Sequence, residues 1–174
     1  AEDKLPYLPY SNLDDYSVCG GEVGAQAKWN NGLGARITYA YTKEQLAKDK
    51  DGNSINNQYI PAREHALNVR MDYDRQISSN YGLNIGLQGR VLSGVVNVEY
   101  KDYYDVSKGT ISVEYPAYTL WKLSLVQRIG KAVKVNAALD NLFGYKPKFY
   151  YLNSPITDGV TFQIGVSIDI DKFF

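Results

Sequence analysis

One histidine, one cysteine and one short acidic run are the residues of this 174-residue sequence that could serve metal or covalent chemistry. His65 could ligate haem or a metal, but a ligand set needs several His, Cys or carboxylate groups at fixed spacing and His65 has none around it. An aromatic-like position on an apolar strand face accounts for it better. Asp49-Lys-Asp51-Gly-Asn53 has the flavour of a calcium loop, yet its glycine comes too early for EF-hand spacing, and an exposed turn is the simpler reading. Cys19 has no histidine near it in sequence to act as a base, and a single cysteine cannot form an internal disulfide. No catalytic residue, metal site or cofactor is therefore expected. The better candidates for binding are tyrosines, the group Tyr100, Tyr103 and Tyr104 and the pair Tyr150 and Tyr151, whose flat amphipathic rings suit ligand contact. Loop packing or an aromatic girdle explains them equally well.

These residues sit between long alternating segments. Val160, Phe162, Ile164, Val166, Ile168 and Ile170 share one face, and Thr161, Gln163, Gly165, Ser167 and Asp169 share the other. Period two over this length is a strand with one apolar side, and here it runs on to an aromatic carboxy-terminal residue, Phe174. Six more such segments precede it, at about Tyr16–Trp29, Leu33–Thr42, Glu64–Arg75, Tyr81–Leu92, Tyr118–Ile129 and Val133–Leu142. The third places His65, Leu67, Val69, Met71 and Tyr73 opposite Ala66, Asn68, Arg70 and Asp72. The polar faces mix glycine with Arg36, Arg70, Gln88, Arg90 and Gln163. No segment of helical length shows a 3.6-residue period; two helical turns at Lys43–Lys50 are the most the pattern allows.

The connections alternate. Asn30–Gly32, Ile77–Asn80 and Gly130–Lys131 are short, with tight-hairpin chemistry in Asn-Gly; Lys43–Arg63, Ser93–Ala117 and Gly144–Gly159 are long. All long loops thus leave one end of the sheet, as in outer-membrane barrels with short periplasmic turns and long outer loops. An eighth strand within Ser93–Ala117, at Gly94–Tyr100 or Thr110–Tyr115, would break that alternation.

Composition narrows the solvent. Lys plus Arg equals Asp plus Glu at 19 each, which lacks the basic excess of a nucleic-acid binder. No apolar run of about 18 residues could form a transmembrane helix, but barrel strands need only about 10 residues, half of them polar. The segments here, about 10 to 14 residues, exceed the usual strand of about 5 or 6. Sixteen tyrosines suit membrane interfaces. The expected fold is all-β, about seven antiparallel up-and-down transmembrane strands with lipid against the apolar faces. Single-chain barrels have an even strand number, so seven strands read as the end of a larger barrel, with Ala1–Asp15 entering from the outer side.

Several motifs then resemble one family. Ala138-Leu-Asp-Asn-Leu-Phe143 closes the penultimate strand, and the last strand ends at Phe174; Tyr59-Ile-Pro-Ala-Arg63 leads into a strand; Gly21-Glu-Val23 precedes Trp29-Asn-Asn-Gly-Leu33. In this order they resemble the carboxy-terminal barrel segment of TonB-dependent outer-membrane receptors, and Tyr150-Tyr-Leu-Asn-Ser-Pro155 with Ile168-Asp-Ile-Asp171 is similar in style to receptors of Bacteroidetes-type bacteria. The resemblance covers the chain from about Tyr16 onward. It implies that residues 1–174 are the last part of a barrel of about 22 strands, without the plug domain and front strands. It implies a bacterial outer-membrane location and active uptake of a scarce nutrient such as haem, an iron chelate, cobalamin or a glycan. The implied partners are membrane lipid, a TonB complex acting through the plug, and the barrel-assembly machinery, which reads Phe174 and the alternating Phe162, Ile164, Val166, Ile168 and Ile170. A stand-alone small barrel (adhesin or membrane enzyme) and a soluble lipocalin-like carrier are the alternatives.

Overall fold

The computed structural model describes residues 17–45, 62–102, 104–147, 157 and 159–172. They form nine strands: β1 (Ser17–Lys28), β2 (Leu33–Gln45), β3 (His65–Ser78), β4 (Tyr81–Leu92), β5 (Val95–Tyr100), β6 (Thr110–Tyr115), β7 (Tyr118–Ile129), β8 (Val133–Asp140) and β9 (Thr161–Ile168). Seven of them make one antiparallel sheet in the order β1-β2-β3-β4-β7-β8-β9, and β5 pairs with β6. The seven-strand sheet is not closed.

Three tight turns fix the register. Gly32 adopts φ 95°, donates its amide to the Trp29 carbonyl at 3.1 Å and accepts from the Asp74 amide at 2.8 Å. A side chain there would strike the Asp74 carbonyl, so glycine is needed both for the left-handed turn and for its packing on β3. Gly130, at φ 61°, closes the β7–β8 turn. Between β3 and β4 the register shifts at Gln76/Ser78, a bulge that leaves Ile77 exposed.

Because side chains alternate, each register aligns whole rows. One runs Ala35, Met71, Leu87, Leu123, Leu139, Phe162; the next runs Leu33, Tyr73, Ile85, Leu125, Ala137, Ile164. These rows form the apolar face, and it is largely exposed: Ile164 shows 67 % of its surface, Phe162 62 % and Met71 53 %. Among the described residues only Leu92 and Tyr115 are buried large apolar side chains. Among the described residues no core packs under this sheet, and the apolar face lies on the side away from the polar one.

Three expectations change. The last strand ends at Ile168, after which the Asp169 amide donates to the Ala132 carbonyl at 2.8 Å and Ile170–Lys172 turns into a 3₁₀ helix. Ile170 therefore leaves the strand alternation, and Phe174 lies outside the described residues. Both segments suspected within Ser93–Ala117 are strands, but they pair with each other, so the sheet keeps seven strands. Lys43, Glu44 and Gln45 extend β2 instead of starting a helical turn, and the rest of that segment lies outside the described residues.

Candidate functional site

The polar residues of five strands face a concave side of the sheet. Register sets Gln26 opposite Arg36, Arg36 opposite Arg70, Arg70 opposite Gln88 and Gln88 opposite Lys122. One position along, Thr38 faces Asn68 and Asn68 faces Arg90. All of these but Gln26, with Asp140, Thr157 and Thr161, line a cavity of about 710 Å³. Arg36 donates Nε and Nη2 to the Gln26 Oε1 at 3.2 and 2.8 Å. Lys122 pairs with Asp140 at 2.9 Å, whereas Arg70 approaches Asp72 only at 3.6 Å. The wall carries four cations against two carboxylates at this level, a surface that attracts anions and can bind oxygen-rich ligands through guanidinium forks.

Asn141 shapes the rim above it. At φ 52° and 7 % exposed, it is the one non-glycine left-handed residue among those described. Its Nδ2 donates to the Tyr145 carbonyl (2.8 Å) and the Thr157 Oγ1 (2.9 Å), and its Oδ1 accepts from the Tyr145 amide at 2.9 Å. Asparagine tolerates this backbone and caps the strand end with its own side chain. Tyr145 in turn stacks on Tyr118 at 5.2 Å, and Arg63 lies over the other ring at 4.7 Å. Burial pushes the Tyr145 phenol above its ordinary range, opposed by the Arg63 charge.

Arg63 also closes a defect. β5–β6 continues the β4–β7 ladder in the same register, since Leu92 pairs with Tyr118 and Val95 with Tyr115. Pro116 falls in the gap and has no amide to donate. The Arg63 Nη1 supplies donors there, to the Pro116 carbonyl at 2.9 Å and to the Ser93 carbonyl. The hairpin thus extends the wall past the sheet by about 20 Å for its six residue pairs. At its end Lys108 pairs with Asp102, and that ammonium, helped by the Tyr104 amide, holds the Asp102 carboxyl below its ordinary range.

Of the tyrosine candidates, two are described, both at the far end of the β5–β6 hairpin. Tyr100 ends β5 opposite Thr110, and Tyr104 is fully exposed in the turn beyond it; Tyr103, Tyr150 and Tyr151 lie outside the described residues. Tyr104 does not line the concave cavity. Phe162, Ile164, Val166 and Ile168 stand exposed on the apolar face of β9. His65 sits on the outer rim of that face, its Nδ1 2.7 Å from the Tyr39 hydroxyl and its ring beside Tyr39 and Tyr41. Among the described residues no three His, Cys, Asp or Glu groups could hold a metal. Cys19 is exposed on β1, and the Asp49–Asn53 run lies outside the described residues. Sequence reasoning missed Arg63, Thr157 and the Lys122–Asp140 pair. Arg63 had one legible signal, a proline two residues before it and fifty-odd residues from Pro116, which says nothing of their contact.

A family model described as TonB dependent receptor-like, beta-barrel matches residues 3–142. The FrpB iron transporter from Neisseria meningitidis (F3-3 variant) is similar in structure, with a TM-score of 0.59 at 19 % identity over 88 % of this chain and 23 % of that one. The chain thus spans less than a quarter of that transporter's length, and the likeness at this identity is one of fold. No curated protein matches it. With the family match spanning most of its length, an open antiparallel sheet and an apolar outer face, the chain belongs to the TonB-dependent receptor β-barrel family.

Proposed function

We propose that this chain is part of the barrel wall of a bacterial outer-membrane receptor that takes up a scarce nutrient by active transport. The observation that carries the reading is the pairing of an exposed apolar face with a polar concave one on seven antiparallel strands. A lipocalin-like carrier would have these faces reversed, with the apolar side lining the cavity. Residues 1–174 supply late strands of a barrel of about 22 strands, whose open edges β1 and β9 pair with strands of the rest. Lipid meets the Ile164 face; the barrel-assembly machinery reads the β9 end; Tyr100, Tyr103, Tyr104, Tyr150 and Tyr151 contact ligand on the outer side. No catalysis is assigned: energy comes from a TonB complex pulling on a plug. The similar FrpB is an iron transporter, which puts an iron chelate first among haem, iron chelate, cobalamin and glycan.

The test is fractionation plus uptake in the native bacterium. The receptor should partition with the outer membrane, and its deletion should abolish uncoupler-sensitive growth on one limiting nutrient of that set. A receptor in the soluble fraction, or uptake indifferent to both deletion and uncoupler, would overturn the reading.

A further inference from the structure

We infer that Arg75, Tyr81 and Gln127 bind the phosphodiester headgroup of one membrane phospholipid, at the short-turn boundary of the apolar face. The inference rests on the proposed membrane role of that face and adds a specific lipid contact to it. Arg75 pairs with Leu83 and Leu83 with Gln127, so one row of the face runs Arg75, Leu83, Gln127, Val135, Val166. Tyr81 stands two residues before Leu83 on the same strand and side, so three polar side chains surround Leu83. The rows on either side, Leu33 to Ile164 and Tyr81 through Ile129 and Val133 to Ile168, carry no charge. On the strands of the seven-stranded sheet, Arg75 and Lys43 are the cations of the apolar side, and Lys43, at the opposite rim, is paired with Glu64.

Arg75 is exposed, and its side chain makes no hydrogen bond or ion pair among the described residues; neither do the side chains of Tyr81 and Gln127. Further strands of a larger barrel would not change this. β3 has β2 on one side and β4 on the other, so a strand added beyond β1 stands three strand spacings away, about 14 Å. Anything filling the concave side lies behind the sheet. A lipid-facing cation is costly at the membrane centre and cheap at its boundary. Leu83 lies two residues inside Tyr81, about 7 Å along the strand and about 5 Å in depth at a tilt of about 40°. An extended arginine stem covers that distance by snorkelling. The guanidinium supplies the one positive charge that a phosphodiester needs and grips it at two points. The Tyr81 hydroxyl and the Gln127 amide add neutral donors. Leu83, Ile85, Leu87 and Leu125, running inward from the site, offer an apolar strip to the acyl chains. A free phosphate ion has no use for that strip, so the site suits a lipid.

The experiment is native mass spectrometry of the complete receptor, released from neutral maltoside micelles after titration with dioleoylphosphatidylglycerol. The wild type should retain one bound phospholipid. Arg75→Gln should weaken retention about tenfold, and Tyr81→Phe and Gln127→Leu severalfold each, as expected for one charged and two neutral hydrogen bonds lost. Arg75→Lys keeps the charge without the fork and should fall between Arg75→Gln and wild type. Lys43→Gln removes the same charge at the opposite rim and should leave retention unchanged. Dioleoylglycerol, which lacks the phosphate, and inorganic phosphate, which lacks the chains, should both fail to displace the lipid. Retention that ignores Arg75→Gln, displacement by inorganic phosphate, or preference of the site for lipopolysaccharide overturns the inference. If Arg75→Gln fails to assemble, the Tyr81→Phe/Gln127→Leu double variant carries the test, and wild-type retention by it overturns the site. A receptor found in the soluble fraction would sink this site and the membrane reading together. A membrane receptor whose lipid retention ignores Arg75 sinks this site alone.

Discussion

Met71→Arg tests which face meets lipid. Met71 is half exposed and stands directly opposite Ala35 and Leu87, so substitution there removes little packing. Its row crosses β4 at Leu87, six residues from Tyr81 at the short-turn end. Six residues cover about 20 Å along the strand and, at a tilt of about 40°, about 15 Å across the membrane, half of a core of roughly 30 Å. Arginine at that midplane costs about 2–4 kcal/mol, a factor of about 30 to 900 in the folding equilibrium. The matched control is Ala138→Arg, on the polar face next to the same row, since Ala138 pairs with Ser124 and Gln163. On the lumenal side, where plug surface and water replace lipid, it should cost clearly less, about 0.5–1 kcal/mol. Urea titration of the receptor refolded into vesicles, followed by gel mobility before and after heating, measures both. Equal costs, or a larger cost for Ala138→Arg, would refute the assignment of faces.

Gly89→Leu should destabilise by about 1–3 kcal/mol through overpacking, because a Cβ there would sit 2.5 Å from the Trp121 ring; shifted tryptophan emission would report the displaced indole. Asn141→Ala should cost about 2–3 kcal/mol in thermal or urea unfolding, from lost hydrogen bonds and a strained left-handed backbone, and Asn141→Gly should recover about 1 kcal/mol of it. Arg63→Ala should speed amide exchange across Val95–Tyr115, and Arg63→Lys should restore little of the protection, because one ammonium cannot both bridge the Ser93 and Pro116 carbonyls and cover the Tyr118 ring as a planar group does. The Asp102–Lys108 contact should order the hairpin end fully above pH 3.8, the ordinary value of the Asp102 carboxyl, and lose that order as pH falls through its lowered pKa. Asp102→Asn should remove this acid dependence in exchange measurements at Tyr104.

The sheet was legible because its signal is local and repeated. Period two over about ten residues identifies a strand from either end, and Asn30-Asn31-Gly32 pins Lys28 against Gly34, from which the whole β1–β2 register follows. The loop alternation then oriented every strand. What escaped depends on contacts between distant segments. The β5–β6 hairpin is two six-residue runs separated from β4 and β7 by Gly94 and Pro116, and short apolar runs beside such breakers read as loop. Its continuity with β4–β7 appears only when the pairing sums are compared. The strand periodicity made Ile170 look like one more lipid-facing residue, yet Asp169 caps onto Ala132 and turns the chain first. Arg36, Arg70 and Arg90 were visible as polar-face residues, but parity alone cannot say that they face one another; that needed the β2–β3 and β3–β4 registers.

The two ends of the sheet are built on different physics, and that difference has a functional sense. The short-turn end is held by backbone geometry: Gly32 and Gly130 at positive φ, with turn amides bonded to neighbouring strands. Side chains add to it locally, Asn31 accepting from the Leu33 amide, Gln76 donating to the Ser78 carbonyl and Arg128 pairing with Asp74. At the opposite end the backbone ladder fails, at Pro116 and at Asn141, and side chains repair it. Arg63 bridges the first gap, Asn141 and Thr157 close the second, and the Arg63–Tyr118–Tyr145 stack joins the two repairs. A wall that ended in plain turns would need none of this. Each repair draws on residues far apart in the chain, Arg63 with Pro116 and Asn141 with Thr157. Under the proposed transport role, their concentration above the arginine-lined cavity is at the end from which a ligand would arrive. The same logic predicts where substitutions will separate stability from uptake. Changes at the stack should move the loops and lower uptake while the seven-strand sheet stays folded, whereas changes at Gly32 should weaken the sheet and uptake together.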